Sequence, residues 1–144
     1  MAVADGMNIH FEATTHPDHV RVECTGSFSQ DEALVLCERM FDLTASAGRD
    51  ALLMDVRKLK GREPTMAERY ELAVRIADLQ AAREPRIRFA MLGHEPLIHP
   101  ERFGEIVATT RGAIARVFTD ESNAVDWLLG RQAEASKPGG VVRD

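Results

Sequence analysis

With 144 residues, 44% of them hydrophobic, the chain is long enough to bury one substantial core and too short for two. A formal net charge of −5 excludes a general nucleic-acid binder, which needs a basic face to release counterions from phosphates. No apolar run approaches about 18 residues, and Met1-Ala-Val-Ala-Asp-Gly6 has no basic stretch ahead of an apolar one, so neither a membrane span nor a signal peptide is expected.

Met7 to Thr14 alternates apolar and polar residues and predicts a first strand with one face inward. Pro17 and Asp18 supply a turn, and His19 to Thr25 alternates again with Val20, Val22 and Cys24 on one side, predicting an antiparallel hairpin. Ser29 and Glu32 have capping-box spacing ahead of a helix that buries Leu34, Leu36, Cys37, Met40 and Phe41 and runs to about Ala47. Gly48 stands where a left-handed cap is wanted. Cys24 and Cys37, on the apolar sides of these elements, read as reduced core residues in a cytoplasmic protein.

Ala51 to Val56 is nearly continuously apolar, as a parallel strand buried on both faces should be. A basic loop follows, and Thr65 with Glu68 makes a second capping box at the head of a helix reaching about Arg83. Arg86 to Gly93 predicts another central strand. Pro100 is placed at the first position of a third helix carrying Phe103, Ile106, Val107 and Thr110. Ala113 to Phe118 is the last strand. Asp120 opens a last helix with Ala124, Trp127 and Leu128 inward. Residues 1–130 read as one domain, and residues 131–144, without apolar period, as a mobile tail.

The order β-β-α-β-α-β-α-β-α gives an α/β fold with a mostly parallel open sheet and one antiparallel edge strand. Leu52-Leu-Met-Asp-Val-Arg57 with Gly61, the strand ending Arg88-Phe-Ala-Met-Leu-Gly93, and Arg116-Val-Phe-Thr-Asp120 followed by Ala124-Val-Asp-Trp-Leu128 resemble the SpoIIAA-like branch of the STAS domains over about residues 7 to 130. The resemblance implies a regulatory, protein-binding module switched by phosphorylation of a Ser in an Asp-Ser-Ser-Gly loop. Here that loop reads Leu59-Lys-Gly-Arg-Glu-Pro-Thr65, and the motif is absent. The branch is also similar in fold to lipid-carrier domains of the Sec14 type, which implies an apolar cavity.

Ligands of open parallel sheets collect at the carboxyl ends of the strands. Arg57, Lys58, Lys60 and Arg62 crowd that end beside a helix N-terminus, and with Thr65 and His94 they are candidates to hold a phosphate, carboxylate or other small anion. The competing reading is a short solvated charged loop. His94 and His99 have loop rather than helical spacing, and no Cys has a His partner, so neither a metal site nor a cofactor nor a nucleophile is expected. Asp55 reads as a carboxylate buried against backbone N–H groups or an Arg rather than as a catalytic acid.

The expected function is therefore a non-enzymatic protein-interaction module, with a small-ligand carrier or sensor of a lipid or organic anion as the alternative. The second helix is apolar over more of its circumference than one sheet face requires. Leu72, Ile76 and Leu79 are accordingly the expected centre of a homodimer interface.

Overall fold

Five strands lie side by side in chain order in a computed structural model that describes residues 7–131: β1 (Ile9–Thr15), β2 (Val20–Ser27), β3 (Ala51–Lys60), β4 (Arg88–Leu92) and β5 (Ala115–Phe118). β1 and β2 form an antiparallel hairpin, from Ile9 opposite Gly26 to Thr15 opposite Val20, and every other pair is parallel. The mostly parallel sheet with one antiparallel edge strand is thus present. The tail expected from residue 131 lies, apart from Arg131, outside the described residues.

Four helices link and cover the strands: α1 (Gln30–Ser46), α2 (Met66–Ala81), α3 (Phe103–Thr110) and α4 (Glu121–Leu128). Alternation along the strands assigns their sides. Val20, Val22, Cys24, Leu52, Met54 and Val56 join Met40 and Phe41 of α1 and Ala73 and Ile76 of α2 in a large core. Leu53, Ala90, Leu92 and Phe118 meet Ala124 and Leu128 of α4 in a small second one. Three helices therefore cover one face and one helix the other. The hairpin's outer side, with His10, Glu12 and Thr14, is left exposed.

Four local expectations change. β3 continues beyond Val56 to Lys60, because after a register shift between Glu23 and Thr25 the pairs Thr25 with Lys58 and Ser27 with Lys60 prolong the parallel ladder. The basic stretch begins as strand, not loop. α3 starts at Phe103 rather than Pro100, since Arg102 sits in the left-handed region at φ 58° and separates the two. At the head of α1, Ser29 accepts the Glu32 N–H only at 3.5 Å. The Glu32 carboxylate turns away to accept the N–H groups of Asn8 at 2.9 Å and Ile9 at 2.8 Å, tying the helix to the start of β1 instead of completing a capping box. α2 does have its full box.

The fourth change concerns the apolar width of α2. Ile76 and Leu79 are 6% and 9% exposed in the main core and Leu72 packs against it. The surplus width is covered by α3, which lies alongside α2 in the same chain. These three residues thus form no exposed strip, and the homodimer surface expected there is inside the protomer.

Gln80 near the end of α2 is fully buried, and its side-chain amide donates to the carbonyls of Ile87 at 2.7 Å and Ile114 at 2.9 Å while accepting the Ile114 N–H at 2.6 Å. Those are the residues leading into β4 and β5. One amide thus sets the spacing of two strands against the helix that crosses them.

Candidate functional site

The carboxyl ends of the strands carry most of the residues singled out by sequence, and nearly every charge there has a partner. Asp55, 2% exposed, accepts from the backbone N–H and Nε of Arg57, each at 3.0 Å, from Arg57 Nη2 at 2.9 Å, and from Arg21 Nη2 at 2.6 Å. Glu121 in the first turn of α4 closes the group, accepting from Arg21 Nε at 2.8 Å and Arg57 Nη2 at 3.2 Å. Burial pushes the Asp55 carboxyl up. The hydrogen bonds from Arg57, with the charges of Arg57 and Arg21, outweigh it and hold the group below the ordinary carboxylate range. The carboxylate is thus kept ionised between two guanidiniums, a paired buried charge of the kind expected from the sequence.

Further along, Lys58 pairs with Glu23 at 2.8 Å, and Arg62 forks onto Glu68 at 2.7 and 2.6 Å while lying over the Phe28 ring at 5.3 Å. Glu68 also accepts the Thr65 N–H at 3.0 Å, and Thr65 Oγ1 accepts the Glu68 N–H at 3.1 Å. The Arg62 fork, then the Thr65 backbone bond, holds the Glu68 carboxyl down at about 2. Of the five anion-site candidates, Arg57, Arg62 and Thr65 are thus committed to partners within the chain, and Lys60 and His94 are exposed. Among the described residues, no hydrogen bond joins the His94 ring to the basic side chains. Arg21 and Glu121 were not singled out by sequence. Their only signals are positional, an Arg on the polar face of β2 and a carboxylate in a helix first turn, and they stand 34 and 100 residues from the groups they meet.

Beneath α2 and α3, against the sheet, lies an apolar cavity of about 120 Å³. Cys24, Met54, Val56, Leu72, Ile76, Phe89 and Met91 form its floor and walls. Its rim is the loop from His94 to Arg102, held in two ways. Gly93 lets the chain turn back against the sheet, since a Cβ there would come within 2.8 Å of Val56 Cγ2 and 3.0 Å of Ile98 Cγ1. Arg69, 8% exposed, reaches from α2 and donates to the carbonyls of Leu97 and Pro96, both at 2.8 Å. α3 is only eight residues long, and Met91, Ile98 and Val117 beside its start stay half-buried.

Cys24 and Cys37, free and buried, both line this space, and burial raises each thiol to about 12, which keeps both in the neutral form. Among the described residues, no group of His, Cys, Asp and Glu is placed to hold a metal. Among the described residues, no helix is long and apolar enough to cross a membrane.

No family model and no curated protein matches the sequence. Solved structures do match. An anti-sigma factor antagonist from Mycobacterium paratuberculosis superposes with a TM-score of 0.56 at 12% identity, over 83% of this chain and 93% of its own. SpoIIAA, an anti-sigma factor antagonist seen in its unphosphorylated form, gives 0.49 at 13% identity over 84% and 97% of the two chains. An uncharacterized protein of SpoIIAA-like fold from Shewanella loihica PV-4 gives 0.46 at 18% identity over 84% and 93%. At these identities the likeness is one of architecture. The strand order, the antiparallel edge hairpin and the four helices give this chain the fold of the Mycobacterium paratuberculosis antagonist, in line with the SpoIIAA-like architecture expected from its sequence.

Proposed function

We propose that this protein is a non-enzymatic regulatory module of the cytoplasm that docks a protein partner on the surface around the first two turns of α2. The observation that carries this reading is the exposure of Met66 and Tyr70, 48% and 49%, one turn apart on the same helix face. Arg62 and Glu63 lie just ahead of them in the chain. Tyr, Met and Arg are the types enriched where proteins meet, and two large apolar side chains at the head of a firmly capped helix are pre-ordered for contact. The Mycobacterium paratuberculosis fold neighbour is an anti-sigma factor antagonist, which supports a regulatory reading through shared architecture alone. The loop before α2 has no Asp-Ser-Ser-Gly, and the Thr65 hydroxyl already serves as a helix cap. Control by phosphorylation at that loop is therefore not part of the proposal.

A photo-crosslinking residue at position 70, compared with one at exposed Thr109 on α3, tests the site. The expected result is one discrete adduct from position 70 that Met66→Glu abolishes. Sedimentation of the purified chain tells a second copy of this protein from a foreign partner. Turnover of a generic ester, phosphate or thioester by the pure protein, abolished by Asp55→Asn or His94→Ala, would overturn the non-enzymatic reading.

A second reading, a carrier or sensor of a small lipid-like or anionic ligand, is supported by the apolar cavity beneath α2 and α3. Native mass spectrometry of protein taken fresh from cells is its test. A co-purifying small molecule supports it, and a bare chain mass counts against it.

A further inference from the structure

The cavity that supports the ligand reading has chemically distinct ends, and the inference drawn from that difference rests on the same reading. Its floor is hydrocarbon and thiol, from Cys24, Met54, Val56, Ile76, Phe89 and Met91. At the rim, α3 begins without a side-chain cap, so the N–H groups of its first turn point outward with the positive end of the helix dipole. A second, independent feature stands there. Arg69 lines the same space, its side chain is only 6% exposed, and its Nε is buried without a hydrogen-bond partner among the described residues. Its nearest carboxylate, Glu63, is 3.5 Å from Nη2 and 62% exposed, too solvated to neutralise a buried guanidinium. Arg102 and Arg116 add positive charge to the lining. Of the two carboxylates there, Glu68 is forked to Arg62, and Glu105 accepts the Val117 N–H at 2.9 Å. Three arginines against two engaged carboxylates leave the rim net positive over an apolar floor.

We propose that this cavity binds a small carboxylic acid with an apolar tail, the tail on the sheet beneath α2 and the carboxylate at the start of α3 beside Arg69. Size sets the class. A buried cavity of roughly 150 Å³ lined by aliphatic residues holds one benzene molecule, so a space of about 120 Å³ suits a short alkyl chain or a single ring and not a two-chain lipid. A helix N-terminus is a ready anion site, and a carboxylate there also supplies the counter-charge that Arg69 lacks. Arg69 ties the rim loop through the Leu97 and Pro96 carbonyls. An acid drawn to Arg69 is therefore coupled to the loop from residue 94 to residue 102.

Gly104 makes the test clean. It lines the cavity at the second residue of α3, and a Cβ built on it meets no atom within 4 Å, so a side chain can be added at the cavity's edge without a clash at its first atom. The full chain is titrated with hexanoate and phenylacetate, and with the neutral hexan-1-ol and toluene, following backbone amide shifts by NMR. Both acids are expected to bind at least about tenfold more tightly than their neutral counterparts and to move the amides of Gly104 and Glu105 most. Gly104→Leu should abolish binding of all four while leaving the rest of the spectrum unchanged. Arg69→Met should erase the preference for acids and retain hexan-1-ol. If that variant fails to fold, Arg116→Gln with Arg102→Gln should narrow the same preference. Equal binding of acids and neutral compounds overturns the acid site and leaves the ligand reading standing. Failure of all four to bind wild-type protein removes both, and binding that survives Gly104→Leu places the site elsewhere and overturns the proposal.

Discussion

Gln80 shows how much one buried polar side chain determines. Its amide satisfies two carbonyls and one N–H at the roots of β4 and β5, and replacing it with Leu takes the partner from the Ile87 carbonyl and the Ile114 N–H, while the Ile114 carbonyl keeps its bond from the Phe89 N–H. Each unpaired group costs about 1–3 kcal/mol, partly recovered by the apolar replacement, so Gln80→Leu is expected to destabilise the fold by about 3 kcal/mol. Urea denaturation measures this, and a loss below about 1 kcal/mol would mean that the strands find other partners. Asp55 depends on its neighbours in the same way. Removing its carboxylate strands Arg21 and Arg57 against each other, with only Glu121, 37% exposed, between them. The role of Gln80 is not visible in the sequence, where it falls on a helix flank, whereas Asp55, a lone carboxylate in an apolar run, is where the sequence places it, buried against a backbone N–H and arginines.

At the scale of elements, the termini of the helices explain most of what holds. No helix carries a basic residue in its last turn. Arginines from elsewhere supply that charge. Arg49 donates to the Ala47 carbonyl and Arg83 to Leu79, each at 2.7–2.8 Å, while Arg86 reaches Gly112 after α3 and Arg88 reaches Trp127 and Leu128 at the end of α4. Each satisfies orphan carbonyls at the negative end of a dipole. The packing of α2 yields a prediction of its own. Because Ile76 lies in the core, Ile76→Asp should not simply separate two protomers. It should unfold the chain, with a loss of roughly 3–5 kcal/mol seen as a collapse of the thermal transition. A stable, folded monomer would contradict this placement.

The strands, helices and their order were legible in the sequence because alternation, helical spacing and the Thr65 box are local signals. The extension of β3 and the fate of Glu32 were not, since each is decided by a contact with a distant segment, the ladder to β2 and the N–H groups at the start of β1, and the start of α3 was not, since it is set by a left-handed Arg102 that no residue type announces. The basic stretch at Arg57 to Arg62 was legible as charge. Its neutralisation was only partly so, because Asp55 and Glu68 lie close by in sequence but Glu23 and Glu121 come from β2 and α4. The cavity was expected from a family resemblance, but Arg69, the residue that gives its rim a chemical character, reads in sequence as an ordinary charged helix position.

For the whole molecule, these ion pairs set the response to acid. Glu68 titrates at about 2 in the folded chain against an ordinary 4.5, and Glu32, Asp55 and Glu121 are also lowered. A carboxyl group depressed on folding contributes stability that is full above its unfolded value and is lost as pH falls through its folded one. Stability should therefore be flat from neutral pH down to about 5 and decline steadily toward pH 2. Thermal melts across that range check the sign, and Glu121→Gln should shallow the slope. A chain most stable at pH 3 would show that these pairs do not form in solution.

The unequal covering of the two sheet faces has a consequence in time. The core beneath α1, α2 and α3 is extensive, whereas the opposite face is closed by an eight-residue helix that buries Ala124 and Leu128 and lays Val125, Trp127 and the following Leu129 half-buried against a much smaller cluster. Detaching α4 requires breaking the small core, the Glu121 contacts and the Arg88 bonds to Trp127 and Leu128, and leaves the large core untouched. Native-state hydrogen exchange should find α4 opening as a unit of its own, its amides exchanging well before those of β3 and α2. Each opening would bare Leu53, Ala90 and Leu92 and free Arg21 and Arg57 from Glu121 together. Such openings would give the protein a transient second surface whose lifetime is set by a single short helix.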